Sequence, residues 1–163
     1  MSKEMFSLIK NEISASDKKS TESEKSVWLL FFINNRLCAL PSSSVKEILR
    51  DSIVFPLPFA PSYLNGVLNR YGDPYAVVDP AVVLGEKAQS TSLFLTLNDE
   101  THTCLRISEV KDFFEAGSTI INRFSESEIS PFFDGSLTVN QEEAMILKLD
   151  SFLERLETDI ENA

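Results

Sequence analysis

The sequence predicts a mostly β protein built from two small, similarly built β-barrels that share one hydrophobic core. Pairs of short β-type runs recur along the chain, and turn signals separate the members of each pair. Helical patterns are confined to short connections and the C-terminus, which is typical of barrels and sandwiches. The 163 residues, of which 43% are hydrophobic, suffice for such a core without cross-links.

The first pair is a predicted hairpin. The apolar runs VWLLFFI (27–33) and RLCALP (36–41) flank Asn34-Asn35, a typical hairpin turn. Because the first run is apolar on both faces, we expect it inside a sheet rather than at an edge.

The next segment, SSSVKEILRD (42–51), predicts a short helix. Ser44 and Glu47 have the S-x-x-E spacing of a capping box, in which each side chain accepts from an amide at the helix start. Val45, Ile48 and Leu49 supply one apolar face. Two prolines then indicate an extended edge or connecting segment over 52–58.

The middle of the chain predicts a turn, a hairpin and a second short helix. Residues 60–66 have the pattern of one helical turn that ends at Asn-Gly. The β-type runs 67–68 and 75–78 are joined through Arg-Tyr-Gly-Asp at 70–73. Asp79 is the predicted N-cap and Pro80 the first residue of a helix that ends before Gly85.

The second half repeats the pattern. SLFLTL and THTCLRI form a predicted hairpin around Asn98-Asp99, and apolar positions follow at 110–114. An irregular acidic loop is predicted over 122–131. The runs PFFDGSLTV and AMILKL are predicted strands with a turn near 140–143, and an amphipathic helix ends the chain.

Residues 1–26 are predicted to be a flexible leader outside a single domain that spans 27–163. The stretch SASDKKSTESEKS is polar and rich in Ser, Glu and Lys. Met5, Leu8, Ile9 and Ile13 share one helical face. Both a fraying helical turn and a small docking helix are compatible with this pattern.

Charge and cysteine usage exclude several classes. The net charge is −10, and residues 109–163 carry thirteen acids against four bases, so nucleic acid is not an expected partner. Neither a signal peptide nor a membrane-length apolar run is visible, which favours the cytoplasm without direct membrane insertion. Cys38 and Cys104 form no CxxC motif and are expected to be small buried residues. No cofactor or metal is predicted.

No catalytic constellation is visible in the sequence. His102, the only histidine, lies beside a hairpin turn with no acid–base partner set by spacing. The sequence therefore favours a protein that is not an enzyme. A β-barrel enzyme or ligand carrier is an alternative, because a closed barrel can hold a small ligand.

The chain resembles the chemotaxis coupling proteins, the CheW-like domain family, over residues 27 to about 157. The resemblance rests on Ala39-Leu40-Pro41, the V-x-E-I motif at 45–48 and PFAPSYLNGVLN at 58–69. Gly72, VVD at 77–79, Val110, the FDG corner at 133–135 and the MILKL strand at 145–149 follow in order.

The resemblance implies two five-stranded barrels around a shared core and no enzymatic activity. It implies a scaffold that bridges the cytoplasmic tips of chemoreceptors to the regulatory domain of the CheA-type histidine kinase, itself a CheW-like fold. Other CheW-like domains are further expected partners. Partner proteins would recruit such a chain to membrane receptor arrays.

Six residues are candidate partner contacts: Val45, Glu47, Arg70, Tyr71, Arg123 and Phe124. The resemblance implies a receptor groove between the barrels, where Val45 is either a groove residue or core, and Glu47 a contact or only a capping partner. The loop 122–131 corresponds to one that reaches a neighbouring kinase or coupling domain, and it contains Arg123 and Phe124. Tyr71, an aromatic residue on a turn, is of a type enriched at interface anchors.

The chain departs from the family pattern at Arg70-Tyr71. Tyr71 occupies the family's arginine position, and the arginine comes one residue earlier. Since neighbouring strand residues face opposite sides, we do not expect Arg70 to replace that guanidinium unless a bulge re-aims it. The alternative function is a divergent adaptor that binds the kinase regulatory domain or other CheW-like domains without the usual receptor contact.

Overall fold

The computed structural model describes residues 26–117, 120–125 and 131–162. Eleven strands and two helices are assigned in these ranges. The strands are β1 (Ser26–Ile33), β2 (Arg36–Pro41), β3 (Val45–Arg50), β4 (Leu64–Arg70), β5 (Asp73–Val78), β6 (Leu93–Leu97), β7 (Thr103–Arg106), β8 (Glu109–Ala116), β9 (Ile121–Arg123), β10 (Phe133–Val139) and β11 (Glu142–Leu147). The helices are α1 (Pro80–Val83) and α2 (Leu149–Glu161).

The strands form two sheets, which confirms the predicted mostly β class. The first, barrel one, has the order β8-β1-β2-β11-β10-β9, and the second, barrel two, has the order β3-β6-β7-β5-β4. Barrel one has six strands instead of the five predicted, because β9 pairs along β10 within a segment expected to be irregular. As predicted, β1 lies inside its sheet, between β8 and β2.

Three hydrophobic clusters fill the molecule. One lies between the sheets and contains residues of both, including Phe31, Leu40 and Leu95, sealed by Phe152 and Leu156 of α2. A second occupies barrel one around Trp28, and a third occupies barrel two. The predicted shared core is therefore present, and both faces of β1 contribute to clusters.

A buried polar network joins the two barrels. The carboxylate of Asp79, which is fully buried, accepts from the N–H groups of Ala81 and Gln89 at 3.0 and 2.9 Å and from Gln89 Nε2 at 2.8 Å. Gln89 Oε1 in turn accepts from the Ser108 hydroxyl at 2.7 Å, and that hydroxyl accepts from the N–H of Asn34 at 2.8 Å. The hairpin turn of barrel one is thus fastened to the start of α1.

The helix predicted over SSSVKEILRD is wrong. Ser42–Ser44 form a short 3₁₀ turn, and Val45–Arg50 form an edge strand paired with β6. A register shift between Val45 and Glu47 marks a bulge in this strand. Glu47 makes no cap, because its side chain pairs with Arg70 instead. Pairing with β6 outweighs the local capping pattern, as tertiary context commonly does.

The helical turn predicted over 60–66 is also wrong beyond its first residues. Only the N–H of Leu64 donates to the carbonyl of Pro61, and β4 begins at Leu64. Gly66 lies at a bulge with φ of 143°, and a Cβ there would lie 2.1 Å from the carbonyl oxygen of Phe55. Glycine is required because the neighbouring backbone passes over it.

Other predicted elements are confirmed. The β1–β2 hairpin turns at Asn34, and the β4–β5, β6–β7 and β10–β11 hairpins lie where expected. Asp79 caps α1, Pro80 begins it, and α2 ends the chain. The leader falls outside the described residues apart from Ser26, which begins β1. The single-domain span 27–163 stays a prediction.

Candidate partner-binding site

A charged and aromatic cluster lies where the two edges of barrel two approach each other. Glu47 is on β3 and Arg70 ends β4, strands at opposite ends of the hydrogen-bonded order. Nevertheless, Arg70 Nε lies 2.7 Å from Glu47 Oε2. The bridge between Phe55, just beyond β3, and Val67 of β4 joins the same edges. The sheet therefore curls until its edges meet, which gives the barrel-like shape.

Tyr71 completes this cluster from the tip of the β4–β5 hairpin. Arg70 Cζ lies 4.2 Å from the centre of the Tyr71 ring, and Arg70 Nη2 donates to the Tyr71 hydroxyl at 3.1 Å. Tyr71 and Gly72 have φ of 53° and 86°, as a two-residue hairpin turn requires. The Tyr71 ring is 83% exposed.

The cluster orients groups more than it stabilises the fold. Glu47 and Arg70 side chains are about a third exposed, and exposed ion pairs are worth about 0–1 kcal/mol. The guanidinium, fixed by Glu47, forms a platform that holds the tyrosine ring facing solvent. The β4–β5 pairing is regular at Arg70, so the bulge considered from the sequence is absent from this hairpin end. Instead, the Arg70 guanidinium contacts Tyr71 by stacking on its ring.

Val45 and Arg123 lie near a second feature, a cavity lined by barrel one, the 42–44 turn and the start of α2. Val45 is half-buried and packs against the shared core. The neighbouring Ser44 lines a cavity of about 350 Å³ together with Pro41, Lys148 and Arg123. Arg123 is exposed on β9 and also lines an adjoining cavity beside Ser26.

Phe124 is only partly exposed. Its side chain is half-buried and packs against the shared core, and its N–H donates to the Asp134 carbonyl at 3.0 Å. The structure therefore brings Glu47, Arg70 and Tyr71 together and places Arg123 beside the cavity between barrel one and the start of α2.

Sequence reasoning missed two features. Trp28 lines both cavities that Arg123 lines, and its buried Nε1 donor has no hydrogen-bond partner among the described residues. The segment around Phe55 exposes four large apolar side chains, although it was interpreted only as a connection. Its apolar residues at every second position between prolines were the signal that was available.

The two thiols and the Tyr63 side chain are buried. Cys38 and Cys104 are free and fully buried, as predicted, and burial raises the pKa of each thiol from 9.0 to about 12. Burial, reinforced by the carboxylate of Asp159, also raises the pKa of the Tyr63 phenol. Among the described residues, no group of three or more His, Cys, Asp or Glu side chains is arranged to hold a metal ion. Within the same ranges, no helix has the length and apolarity needed to cross a membrane.

Two small sheets on one core, with an aromatic and charged cluster displayed at a hairpin tip, define a β-type protein-interaction module. The sequence profile of the CheW-like domain family matches residues 27–157, and the chain belongs to that family. The scaffolding protein TtCheW from Thermoanaerobacter tengcongensis has a similar fold, with a TM-score of 0.69 at 17% identity. The similarity covers 76% of this chain and 89% of TtCheW. No curated protein matches the sequence.

Proposed function

We propose that this protein is a non-enzymatic scaffold that couples chemoreceptor tips to the regulatory domain of a CheA-type histidine kinase. Membership of the CheW-like family supports this role. The observation that carries it at the residue level is the Glu47–Arg70–Tyr71 cluster, which displays an oriented aromatic ring at a barrel rim. Such a protein would act in the cytoplasm and reach the membrane through its partners.

Arg70 and Tyr71 are the proposed centre of the receptor contact. Aromatic and arginine side chains dominate binding energy where they are displayed on a firm support. Glu47 serves as that support, because it fixes the guanidinium on which the ring lies. Val45 on β3 and Arg123 on β9 are further proposed contacts, and Phe124 packs against the shared core just after β9.

Calorimetric titration with a receptor tip and, separately, with the kinase regulatory domain tests this proposal. We expect Tyr71→Ala to weaken receptor-tip binding at least tenfold, since it removes the displayed ring. Phe113→Ala is the matched control, because that aromatic residue is also exposed but lies on β8 of the other barrel. Absence of binding to both partners at micromolar concentration would contradict the proposal.

The alternative, an adaptor without the usual receptor contact, is favoured by one observation. The Arg70 guanidinium is already engaged by Glu47 and Tyr71 and is not free for a partner carboxylate. Exchanging the two residues, with Arg70→Tyr and Tyr71→Arg together, puts an arginine at the exposed tip. Under the alternative, wild type binds the kinase domain alone, and the exchange strengthens receptor binding; unchanged receptor affinity argues against it.

A further inference from the structure

An apolar arm extends along the outer edge of barrel two. We use this name for Ile53, Phe55, Leu57 and Phe59, which are 71%, 60%, 44% and 103% exposed. The first three alternate along an extended chain and so point to the same side, while Val54 packs inward. The arm lies in a run of eighteen residues, 52–69, without a single charged side chain.

In the isolated chain, Phe59 has a strained backbone conformation and no burial of its side chain to offset it. It is fully exposed, and its φ of 60° is a left-handed conformation that is costly for a bulky side chain. An exposed residue held against its backbone preference points to a contact outside the monomer.

The arm is suited to side-chain contacts and not to strand addition. The N–H and C=O of Phe55 are both bonded to Val67, at 2.8 Å each. Pro56 and Pro58 have no N–H to donate, which blocks a further strand at this edge. A partner must therefore recognise the apolar side chains themselves.

The same chain contains a concave apolar feature, the α2 cavity. It has a volume of about 450 Å³ and lies between α2 and the start of β7. Its apolar wall consists of Leu153, Leu156 and Ile160, and Ile160 is 57% exposed. Glu157 and Glu161 form its acidic rim.

We propose that the arm of one copy docks into the α2 cavity of a second copy, with Phe59 as the inserted side chain. A second copy is the occupant because each chain carries both a projecting apolar feature and a concave one. With a net charge of −10, two copies repel each other over most of their surfaces, and the charge-free arm is where they can approach. Lys46 and Arg50 are exposed beside the arm and form no ion pair within the described residues. Their positive charges are complementary to the acidic rim of the cavity.

The exposed area of the arm is sufficient for a weak association. At roughly 150–250 Å² per aromatic side chain, Phe55 and Phe59 alone offer about 300 Å². That is the size of the largest apolar patch on many monomers, and a specific interface needs about 800 Å² per partner. Ile53 and Leu57 add to this area, and a contact below the standard size is typical of weak, transient association. A contact between unlike surfaces also allows a closed pair or ring.

Sedimentation velocity of the full chain over a concentration series to several hundred micromolar tests the proposal. We expect concentration-dependent association of the wild type, and monomers for both Phe59→Asp and Ile160→Asp. Both positions are exposed, so the folded state is retained, which circular dichroism checks. Phe113→Asp, an exposed aromatic position outside both surfaces, is the control and should associate like the wild type.

Mixing the two monomeric variants gives the decisive result. Phe59→Asp keeps an intact cavity and Ile160→Asp keeps an intact arm, so an equimolar mixture should recover a dimer. A wild type that stays monomeric overturns the proposal, as does a failure of the mixture to associate. Normal association of Ile160→Asp would point to arm-on-arm pairing and also overturn it. A monomeric wild type that loses kinase-domain binding on Phe59→Asp would assign the arm to that partner instead.

Discussion

The two barrels follow one hydrogen-bonding plan but differ in their outer connections. In each, a hairpin pairs in parallel with a second hairpin, as β2 does with β11 and β7 with β5. Each second hairpin starts at a bulged glycine and leads into a helix. In barrel one, the backbone that passes over the bulged glycine is the strand β9. In barrel two, the corresponding backbone makes only the single bridge at Phe55, and the residues around Phe55 project as the arm. The surfaces of the two barrels therefore differ most where this pairing is shortest, at the Phe55 bridge.

Substitution of the two bulge glycines tests whether a side chain at the bulge is equally destabilising in both barrels. A Cβ would lie 2.1 Å from the Phe55 oxygen at Gly66 and 2.2 Å from the Asn122 oxygen at Gly135. Only Gly66 also has a positive φ. We expect Gly66→Ala to cost about 3–5 kcal/mol and Gly135→Ala about 1–3 kcal/mol, measured by urea unfolding. Equal costs would show that backbone conformation adds nothing at Gly66.

The helix starts that follow the two hairpins provide the second test. Asp79 caps α1 and satisfies three donors, whereas Lys148 precedes α2 without a side-chain cap. Asp79→Ala should lower the free energy of unfolding by about 3 kcal/mol, because it leaves buried donors unpaired. Lys148→Asn should raise it by about 0.5–1 kcal/mol. A neutral Asp79→Ala would show that the inter-barrel network does not support the fold.

The cysteines occupy matching strands, Cys38 on β2 and Cys104 on β7, and each gives a smaller expected effect than Asp79 or the bulge glycines. Each thiol has a pKa of about 12 in the fold against 9.0 when unfolded. The unfolded chain therefore releases these protons first as pH rises, and stability present below pH 9 is lost between pH 9 and 12. At pH 10 each thiol should cost about 1 kcal/mol.

Urea unfolding at pH 8 and pH 10 measures this loss. The double variant Cys38→Ala, Cys104→Ala is the control, and its stability should fall less over the same interval. The native thiols should also resist alkylation at pH 8. Rapid labelling of either one would contradict the burial that raises the pKa.

The sequence predicted the hairpins and both confirmed helices because their signals are local. The turn at Asn34, the cap at Asp79 and the period of α2 each depend on neighbouring residues. β3 was interpreted as a helix because its bulge between Val45 and Glu47 breaks the strand alternation, and because Ser44 and Glu47 imitate a cap.

The site was less accessible to sequence reasoning. Glu47, Arg70 and Tyr71 were named individually as candidates, but their contact depends on how far barrel two curls, which no short pattern records. Phe124 has the composition of an anchor, yet packing against the shared core decides its exposure. Long-range curvature and burial are the quantities that local motifs leave undetermined.

The hydrogen bonds that lead from Asp79 through Gln89 and Ser108 to Asn34 fasten the barrels to each other beside the apolar layer that they share. These bonds oppose a rotation of one barrel relative to the other. A protein held at Tyr71 and another held at Arg123 would keep a constant span and bearing. A force on either bound protein would therefore be transmitted to the other.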